Sequence, residues 1–156
     1  MKDKIVPCLW FDNQAEEAAR YYVTIFNNSR INRISYYGKE GFDVHGQNEG
    51  TVLTVDFEIN GNPFTALNGG PIFKFTEAVS FQVYCDTQKE IDDYWGKLTA
   101  DGEESQCGWL KDKYGVSWQI VPTVLTQLIR DPKRSERVMK ALLQMKKLDI
   151  ETLLAA

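Results

Sequence analysis

Histidine, the side chain most often used as a general acid or base, occurs once in this 156-residue sequence, and cysteine occurs three times. The single histidine, His45, lies in a glycine- and charge-rich stretch (38–50) that is predicted to be a mobile loop. His45 could cover a cleft as a lid residue, but a solvated surface histidine is favoured in such a loop. Cys8 could be a nucleophile, yet no base stands beside it in the sequence, so a buried inert thiol is favoured. Asp56 and Glu58 share one face of a predicted strand; they could do acid–base chemistry, although a solvated face is the better interpretation.

The composition excludes several classes of function. Cys8, Cys85 and Cys107 are odd in number and lack C-x-x-C spacing, which favours reduced thiols in a cytoplasm over disulfides or a zinc site. The charge is mixed, with a formal net of −4 and no basic stripe, so nucleic acid is not expected as a partner. The N-terminal "MKDKIVPCLW" is too charged for a signal peptide, and no run approaches the roughly 18 apolar residues of a membrane helix. A cytoplasmic protein that does not engage membranes is predicted.

The elements that would position these side chains follow a β-α-β-β-β order in the first half. Thr51 to Ile59 alternates apolar and polar residues, and Asn60-Gly61 is a strong hairpin signal. Asn13 with Glu16 predicts a capping box at the start of a helix. The predicted strands cover residues 5–11, 31–37, 51–59 and 64–67, and the helix carries an apolar stripe of Ala15, Ala18, Ala19, Tyr22 and Phe26.

The second half repeats this order. A D-x-Q-x-E pattern recurs 74 residues on, from Asp12 to Asp86, and Thr87 with Glu90 predicts a second capping box. Because capping boxes are common, the shared order of elements is the stronger sign of a duplication. The predicted strands cover residues 80–85, 103–106, 109–111 and 116–121, and the helix stripe is Ile91, Tyr94, Trp95 and Leu98.

The last 34 residues differ from both halves. One or two helical turns are expected after Pro122, followed by an amphipathic helix carrying Val138, Leu142, Met145 and Leu148. The predicted organisation is therefore one domain (1–122) made of two modules (1–70 and 76–122). A C-terminal helical extension (123–156) is expected to pack on that domain or on a partner.

Two tandem βαβββ units resemble the vicinal oxygen chelate superfamily, which includes glyoxalases, extradiol dioxygenases and bleomycin-resistance proteins. Three segments, "VPCLWFDNQAEEAARYYVTIF", "CGWLKDKYGVSWQIVPTVL" and "VMKALLQMKKLDIETL", are similar to the PhnB-like family labelled 3-demethylubiquinone-9 3-methyltransferase. The resemblance covers essentially the whole chain. It implies an α+β fold in which the paired modules form an open, cup-shaped mixed sheet around a cleft, and a homodimer as the assembly.

The methyltransferase label is not supported by the residues. An enzyme that uses S-adenosylmethionine typically has a glycine-rich turn between a strand and a helix in an alternating β/α chain. Here Gly69-Gly70 is followed by Pro71 and another strand-like run, and no G-x-G motif occurs. The label is therefore not taken as a statement of chemistry.

Strand alternation combined with this resemblance assigns the residues of the cleft. The 74-residue offset places Cys8 opposite Gln82 and Trp10 opposite Tyr84. Metal enzymes of the superfamily take His and Glu ligands from the inner faces of the first, fourth, fifth and eighth strands. The positions here hold no histidine or carboxylate, so neither a metal nor another cofactor is expected. The predicted ligand-binding residues are Cys8, Trp10, Thr65, Gln82, Tyr84 and Gln119.

These residues suit a flat apolar or aromatic ligand held by stacking and a few hydrogen bonds. The sequence therefore predicts a metal-free small-molecule-binding protein, comparable to the bleomycin-resistance branch. Trp10 and Tyr84 could equally be core or dimer-interface residues. The alternative function is an enzyme of the same fold, either the methyltransferase of the label or a glyoxalase- or dioxygenase-like lyase or oxygenase. A scaffold protein is a third possibility.

Overall fold

The computed structural model describes residues 5–156, which divide into two compact units with the boundary between Lys74 and Phe75. The elements of the first unit are β1 (Cys8–Phe11), α1 (Ala15–Ile25), β2 (Arg30–Tyr36), α2 (Phe42–His45), β3 (Val52–Ile59) and β4 (Asn62–Asn68). Its four strands form one sheet of order β1-β4-β3-β2, in which β1 and β4 are parallel and the other pairs are antiparallel.

The alternation of β3 produces the two-sided sheet that the sequence predicts. Val55 and Phe57 are fully buried beneath α1, and the Phe57 ring lies 6.3 Å from that of Tyr22 in a stacked arrangement. The hairpin prediction is confirmed, because Asn60 (φ 49°) and Gly61 (φ 76°) both adopt the left-handed conformation of a two-residue turn. The apolar stripe of α1 is buried as predicted.

The predicted capping box at Asn13 is wrong. The helix begins at Ala15, and its N-cap residue Gln14 makes no capping hydrogen bond through its side chain. The side chain of Asn68, at the end of β4, instead accepts a hydrogen bond from the Ala15 backbone N–H at 2.8 Å. A free N–H of the first turn is thus satisfied by a residue 53 positions away.

The second unit repeats the plan of the first. Its elements are β5 (Ser80–Cys85), α3 (Gln88–Leu98), β6 (Glu103–Glu104), β7 (Trp109–Lys111) and β8 (Ser117–Pro122). Its sheet has the order β5-β8-β7-β6, with β5 and β8 parallel, so β5 and β8 take the places of β1 and β4. The capping box of Thr87 and Glu90 is confirmed, and the tandem βαβββ arrangement and the α+β class are confirmed with it.

The tail contains three helices: α4 (Leu125–Arg130), α5 (Ser135–Leu142) and α6 (Ile150–Ala155). The helix α4 corresponds to the turns predicted after Pro122, but the single amphipathic helix predicted after it is broken. The chain leaves α5 after Leu142, and the Met145 and Lys146 carbonyls accept hydrogen bonds from the Cys107 and Gly108 N–H groups, both at 2.7 Å. A helix through this segment would lose those bonds.

The tail helices form an apolar cluster of their own within the second unit. Val138 and Leu148 from the predicted stripe are fully buried there, and they pack with Val121 at the end of β8. Met145 packs against the same cluster from a partly buried position. Among the helices of residues 5–156, none has the length and apolar character needed to cross a membrane.

Candidate functional site

Three of the predicted site residues lie on the open face of the first sheet. Cys8 and Trp10 alternate with buried Leu9 and Phe11, and Thr65 lies on β4 directly in register with Cys8. The 74-residue offset therefore predicted correctly which side chains of β1 face away from the helix. The structure brings Cys8 and Thr65 together as neighbours on this face.

The open face of the first sheet is more charged than the sequence interpretation indicates. Thr65 donates a hydrogen bond from its hydroxyl to Asp56 Oδ1 at 3.0 Å. The other carboxylate oxygen of Asp56 accepts from the Arg33 guanidinium at 2.8 and 3.1 Å. Asp56 is thus a structural part of this face, although the sequence favours a solvated role for it. The hairpin turn at Asn60-Gly61 fixes the register that pairs Asp56 with Thr65, so the sequence did contain this signal.

Cys8 is exposed, but its surroundings disfavour the reactive thiolate. Partial burial of the thiol, and then the negative charge of Asp56, raise the pKa of Cys8 above its ordinary value. A nucleophilic cysteine needs the opposite shift, from a neighbouring cation or base. The interpretation of Cys8 as an unreactive thiol is supported by this environment, even though the residue is not buried.

Trp10 is partly buried and makes its contacts with other residues of the first unit. Its indole N–H donates to the Gly70 carbonyl at 2.8 Å, and its ring meets the Phe73 ring edge-on at 4.9 Å. A side chain at Gly69 would collide with the Trp10 ring, since a Cβ there would lie 2.2 Å from it. Trp10 therefore offers ring surface to a ligand, but its donor is already used.

The other three predicted residues lie on the open face of the second sheet. Tyr84 donates its hydroxyl to Gln82 Oε1 at 3.0 Å, Gln82 donates to Gln119 Oε1 at 3.4 Å, and Gln119 donates to Ser80 Oγ at 2.8 Å. Gln82 and Gln119 are also register partners on the parallel strands β5 and β8. The result is a directional chain of hydrogen bonds beside an exposed tyrosine ring.

Not every position of β8 with this parity is open. Gln119 is partly exposed, but Val121 is covered by the tail helices and Ser117 is 1% exposed. Alternation alone would place all three side chains on the same open face. Alternation fixes the face of a side chain, whereas burial depends on what covers that face.

The donors on these two faces do not fit a divalent metal of the superfamily type. The equivalent positions carry a thiol of raised pKa, hydroxyls and neutral amides, whereas such ions prefer imidazole and carboxylate ligands. Asp56 is a single carboxylate and is already bound by Arg33 and Thr65. Within residues 5–156 no group of three or more His, Cys, Asp or Glu side chains is placed to hold a metal.

His45 is held within its own loop region. Its ring lies 4.5 Å from the Tyr37 ring, its Nδ1 accepts from the Gln47 backbone N–H at 2.9 Å, and its Nε2 lies 3.2 Å from the Glu40 carbonyl. The side chain is therefore partly buried instead of fully solvated. Stretch 38–50 also contains the short helix α2, which the loop prediction did not include.

Cys8 and Cys85, which lie on the first strands of the two units, are expected to differ in reactivity. Burial, followed by the charges of Glu90 and Asp86, raises the pKa of Cys85 to about 12. At pH 8 we expect iodoacetamide to modify Cys8 slowly and to leave Cys85 unmodified in the folded protein, as measured by peptide mass spectrometry. Asp56→Asn should speed Cys8 labelling, by less than about tenfold because the pair lies near solvent. Faster labelling of Cys85 than of Cys8 would contradict this order.

Comparison with known proteins identifies the family. The family model described as 3-demethylubiquinone-9 3-methyltransferase matches residues 3–121. Among solved structures, the PhnB protein of Bacillus cereus, whose description carries the same methyltransferase name, is 38% identical with a TM-score of 0.69. The alignment covers 78% of this chain and 100% of that chain.

More distant solved structures share the fold alone. PA1353 of Pseudomonas aeruginosa is 15% identical with a TM-score of 0.56, over 78% of this chain and 98% of that one. The fosfomycin resistance protein FosX of Mesorhizobium loti is 14% identical with a TM-score of 0.55, over 83% and 99%. No functionally curated protein matches the sequence. With its model match and its 38% identical relative, the chain belongs to the 3-demethylubiquinone-9 3-methyltransferase family, of the vicinal oxygen chelate fold.

Proposed function

We propose that the chain is a small-molecule-binding protein that holds an apolar or aromatic ligand without a catalytic metal. The observation that carries the proposal lies on the open face of the second sheet. There an exposed aromatic ring stands next to two glutamine side chains that are hydrogen-bonded to each other. Tyr84 is 55% exposed, and Gln82 and Gln119 lie next to it with their orientations set by hydrogen bonds.

The physical chemistry of this face favours a flat ligand. An aromatic pair contributes about 0.5–1.5 kcal/mol beyond the burial of its area. Because Tyr84, Gln82, Gln119 and Ser80 already bond to one another, their orientations are fixed before a ligand arrives, which lowers the entropic cost of binding. Each amide keeps a second N–H for a polar group at the ligand's edge.

The open face of the first sheet is proposed to bind the same class of ligand. It supplies the Trp10 ring and the Thr65 hydroxyl beside the Cys8 thiol. Since the Trp10 N–H is bound to Gly70, the tryptophan would contribute through its ring alone. The Asp56–Arg33 pair would favour a ligand that tolerates a polar rim on this side.

Methyl transfer from S-adenosylmethionine is not part of this proposal, although the family bears that name. The glycine pair that follows β4 does not start a helix: Gly70 has φ 90°, and residues 71–79 contain turns but no helix before β5. The anion-binding helix N-terminus that dinucleotide-type sites use is therefore missing at this position. We propose that the protein works without an organic cofactor.

The alternative is an enzyme of the same fold, with methyltransferase, lyase or oxygenase chemistry at these residues. Cys8 is a poor candidate nucleophile because its pKa is raised. If the protein converts a compound that is found bound to it, and Gln119→Ala abolishes that conversion, the protein is an enzyme and the binding-protein proposal is wrong.

The proposal is tested first by native mass spectrometry of freshly purified protein, which reports retained organic compounds and metals together. A retained aromatic compound supports the proposal, whereas a stoichiometric divalent metal in protein purified without added metal contradicts it. The same spectrum tests the homodimer that we propose as the assembly.

A substitution at Tyr84 provides a quantitative test. Tyr84→Ala is expected to weaken binding of 2-naphthol, a flat neutral probe, by about 3- to 12-fold, because stacking on the ring is lost. Fluorescence titration measures the affinity. Tyr21→Ala is the control, since Tyr21 lies on α1, the helix that covers the other face of its sheet. Equal affinity in Tyr84→Ala and the wild type would remove Tyr84 from the site.

Two expectations about organisation are carried forward as proposals. The three cysteines of residues 5–156 are free thiols, which supports a reducing, cytoplasmic location. The proposal that the helical extension (123–156) packs on the domain (1–122) is supported by the apolar cluster that its helices share with Val121 at the end of β8. That extension belongs to the same compact unit as β5–β8.

A further inference from the structure

Trp109 lies on the open face of the second sheet, although it is not among the predicted ligand-binding residues. It pairs with Gln119 in the register of β7 and β8, and Gln119 pairs with Gln82 on β5. Because register partners on neighbouring strands direct their side chains to the same face, these three form one row across the sheet. The adjacent Leu110 is 1% exposed and pairs with Trp118 on the opposite face, which the helix covers. Trp109 is therefore the next neighbour of the two hydrogen-bonded amides.

The Trp109 side chain can be reached by a ligand on this face. It is partly exposed, and it lines a cavity of ≈ 110 Å³ together with Lys111 and Ser117, which form the next row of the sheet. That volume is several times the about 10–15 Å³ that one water molecule needs. Space that ligand atoms can enter therefore lies directly against Trp109.

Two aromatic side chains thus lie at opposite ends of the amide pair. Trp109 is two strand spacings from Gln82, about 9–10 Å at the backbone, and Gln119 is the one residue of the row between them. Tyr84 lies two residues along β5 from Gln82 and donates its hydroxyl to the Gln82 amide. A single benzene ring would reach one of the two aromatic side chains, whereas a fused-ring system can contact both.

The hydrogen bonds of the amide pair define which polar group the ligand should carry. The Gln82 and Gln119 amide oxygens already accept, from the Tyr84 hydroxyl and from the Gln82 amide respectively, and each amide keeps a second N–H. A ligand that covers this face removes water from those N–H groups. Because a desolvated N–H without an acceptor is costlier than an oxygen with one lone pair unused, the ligand should supply an acceptor.

The charges beside the row favour a neutral acceptor over a carboxylate. Glu103 and Lys111 lie in the next row, about 7 Å along the strands, and Lys111 Nζ is 2.5 Å from Glu77 Oε1. Two carboxylates and one ammonium leave a net negative charge within the about 10 Å over which charges act at 0.1 M salt. A negatively charged ligand would be repelled, and Glu77 already offsets the attraction of Lys111.

We propose that Trp109 is a further ligand-binding residue and that this face binds a neutral fused-ring aromatic compound with a carbonyl oxygen. The rings contact Tyr84 and Trp109, and the carbonyl oxygen accepts from the second N–H of the Gln82 or Gln119 amide. This inference rests on the proposed function, since it extends the same face to β7 and names the class of its ligand.

Nuclear magnetic resonance titration of the ¹⁵N-labelled full chain tests the ligand class. 2-Acetylnaphthalene has two fused rings and a carbonyl, 2-ethylnaphthalene lacks the oxygen, acetophenone lacks the second ring and 2-naphthoate carries a negative charge. We expect saturable shifts of the Trp109 indole signal and of the Gln82 and Gln119 side-chain signals with 2-acetylnaphthalene. The ethyl compound should bind about 3- to 10-fold more weakly, acetophenone at least about 10-fold more weakly, and 2-naphthoate also more weakly. Equal affinity for the acetyl and ethyl compounds, or an unmoved Trp109 signal, would overturn the assignment.

Variants separate this inference from the function on which it rests. Trp109→Ala is expected to weaken 2-acetylnaphthalene at least about 3-fold, and Trp109→Phe, which keeps a ring, should lose less. Tyr114→Ala, in the turn between β7 and β8, removes an aromatic side chain outside the row and should leave affinity unchanged. The same spectra show whether each variant is folded. Undiminished binding in folded Trp109→Ala, with weakened binding in Tyr84→Ala, would overturn the inference and leave the proposed function standing. No saturable binding of any of the four probes would overturn both.

Discussion

Asp112→Ala is expected to lower the free energy of unfolding of the second unit by about 3–5 kcal/mol. Asp112 is 3% exposed, and one of its carboxylate oxygens accepts from the backbone N–H groups of Tyr114 and Val116 at 2.9 and 3.1 Å. The other oxygen accepts from Trp118 Nε1 at 2.9 Å. Alanine leaves the Val116 and Trp118 donors buried without these acceptors, and each such donor costs about 1–3 kcal/mol.

Urea denaturation followed by tryptophan fluorescence and circular dichroism measures the loss. Asp112→Asn keeps the shape and one acceptor oxygen, so its loss should be smaller than that of alanine. Asp93→Ala, on the exposed side of α3, is the control and should change stability by less than about 0.5 kcal/mol. If Asp112→Ala were as stable as the Asp93 variant, the carboxylate could not be what holds the turn between β7 and β8.

Asp112 also shows what the sequence indicated and what it did not. The run "GWLKDKYGVSWQI" was useful for recognising the family. Period-two alternation also accounts for the burial of Trp118 and Ile120 on one face of β8. The buried role of Asp112 follows from a tight turn that brings its carboxylate to the indole six residues on. Sequence patterns predict that a turn occurs, but they do not specify which side-chain donors the turn brings together.

The duplicated fold was predictable because its signals are local and repeated. Alternation in β3, the Asn60-Gly61 turn and the Thr87 capping box each depend on residues close in sequence. The start of α1 was not predictable in the same way, since its free N–H is satisfied by Asn68 from the far end of the sheet. The break in the tail helix likewise depends on distant partners at 107–108.

The candidate site divides along the same line. The parity of Cys8, Trp10, Gln82 and Tyr84 followed from period-two alternation and the internal offset. The hydrogen bond from the Trp10 indole N–H to the Gly70 carbonyl depends on the path of the chain after β4. The alternation of apolar and polar residues does not predict that path. Their role in binding a ligand stays a prediction.

The second large effect is expected at Gly108, where alanine should cost about 2–5 kcal/mol of stability. Gly108 has φ 84°, a conformation that costs a residue with a Cβ about 1–2 kcal/mol. A Cβ there would also lie 2.7 Å from the Ile120 carbonyl oxygen and 3.1 Å from the Leu148 side chain. The Ile120 contact is with backbone of a central strand, so relief requires movement of the sheet or of the chain at 107–108.

Substitutions at two other glycines distinguish backbone strain from steric contact as the cause of that loss of stability. Gly115 has nearly the same backbone conformation, φ 85°, but nothing lies within 4 Å of its Cβ position, so Gly115→Ala should cost only the strain of about 1–2 kcal/mol. Gly96 lies in α3 with open space around it, and Gly96→Ala should stabilise by about 0.5–1 kcal/mol.

The difference in stability loss between Gly108→Ala and Gly115→Ala measures the cost of the steric contacts at residue 108. Part of that cost comes from the contact with Leu148 in the tail. Because the Gly108 N–H donates to the Lys146 carbonyl at 2.7 Å and Leu148 belongs to the tail cluster, a shift at 108 should loosen the 145–148 segment. Hydrogen exchange at the backbone amides of residues 107 and 108 should then be faster in Gly108→Ala than in Gly115→Ala. Equal losses of stability in the two variants would mean that Ile120 and Leu148 move away from the new Cβ at no cost. In that case the packing at residue 108 would not hold the tail against the sheet.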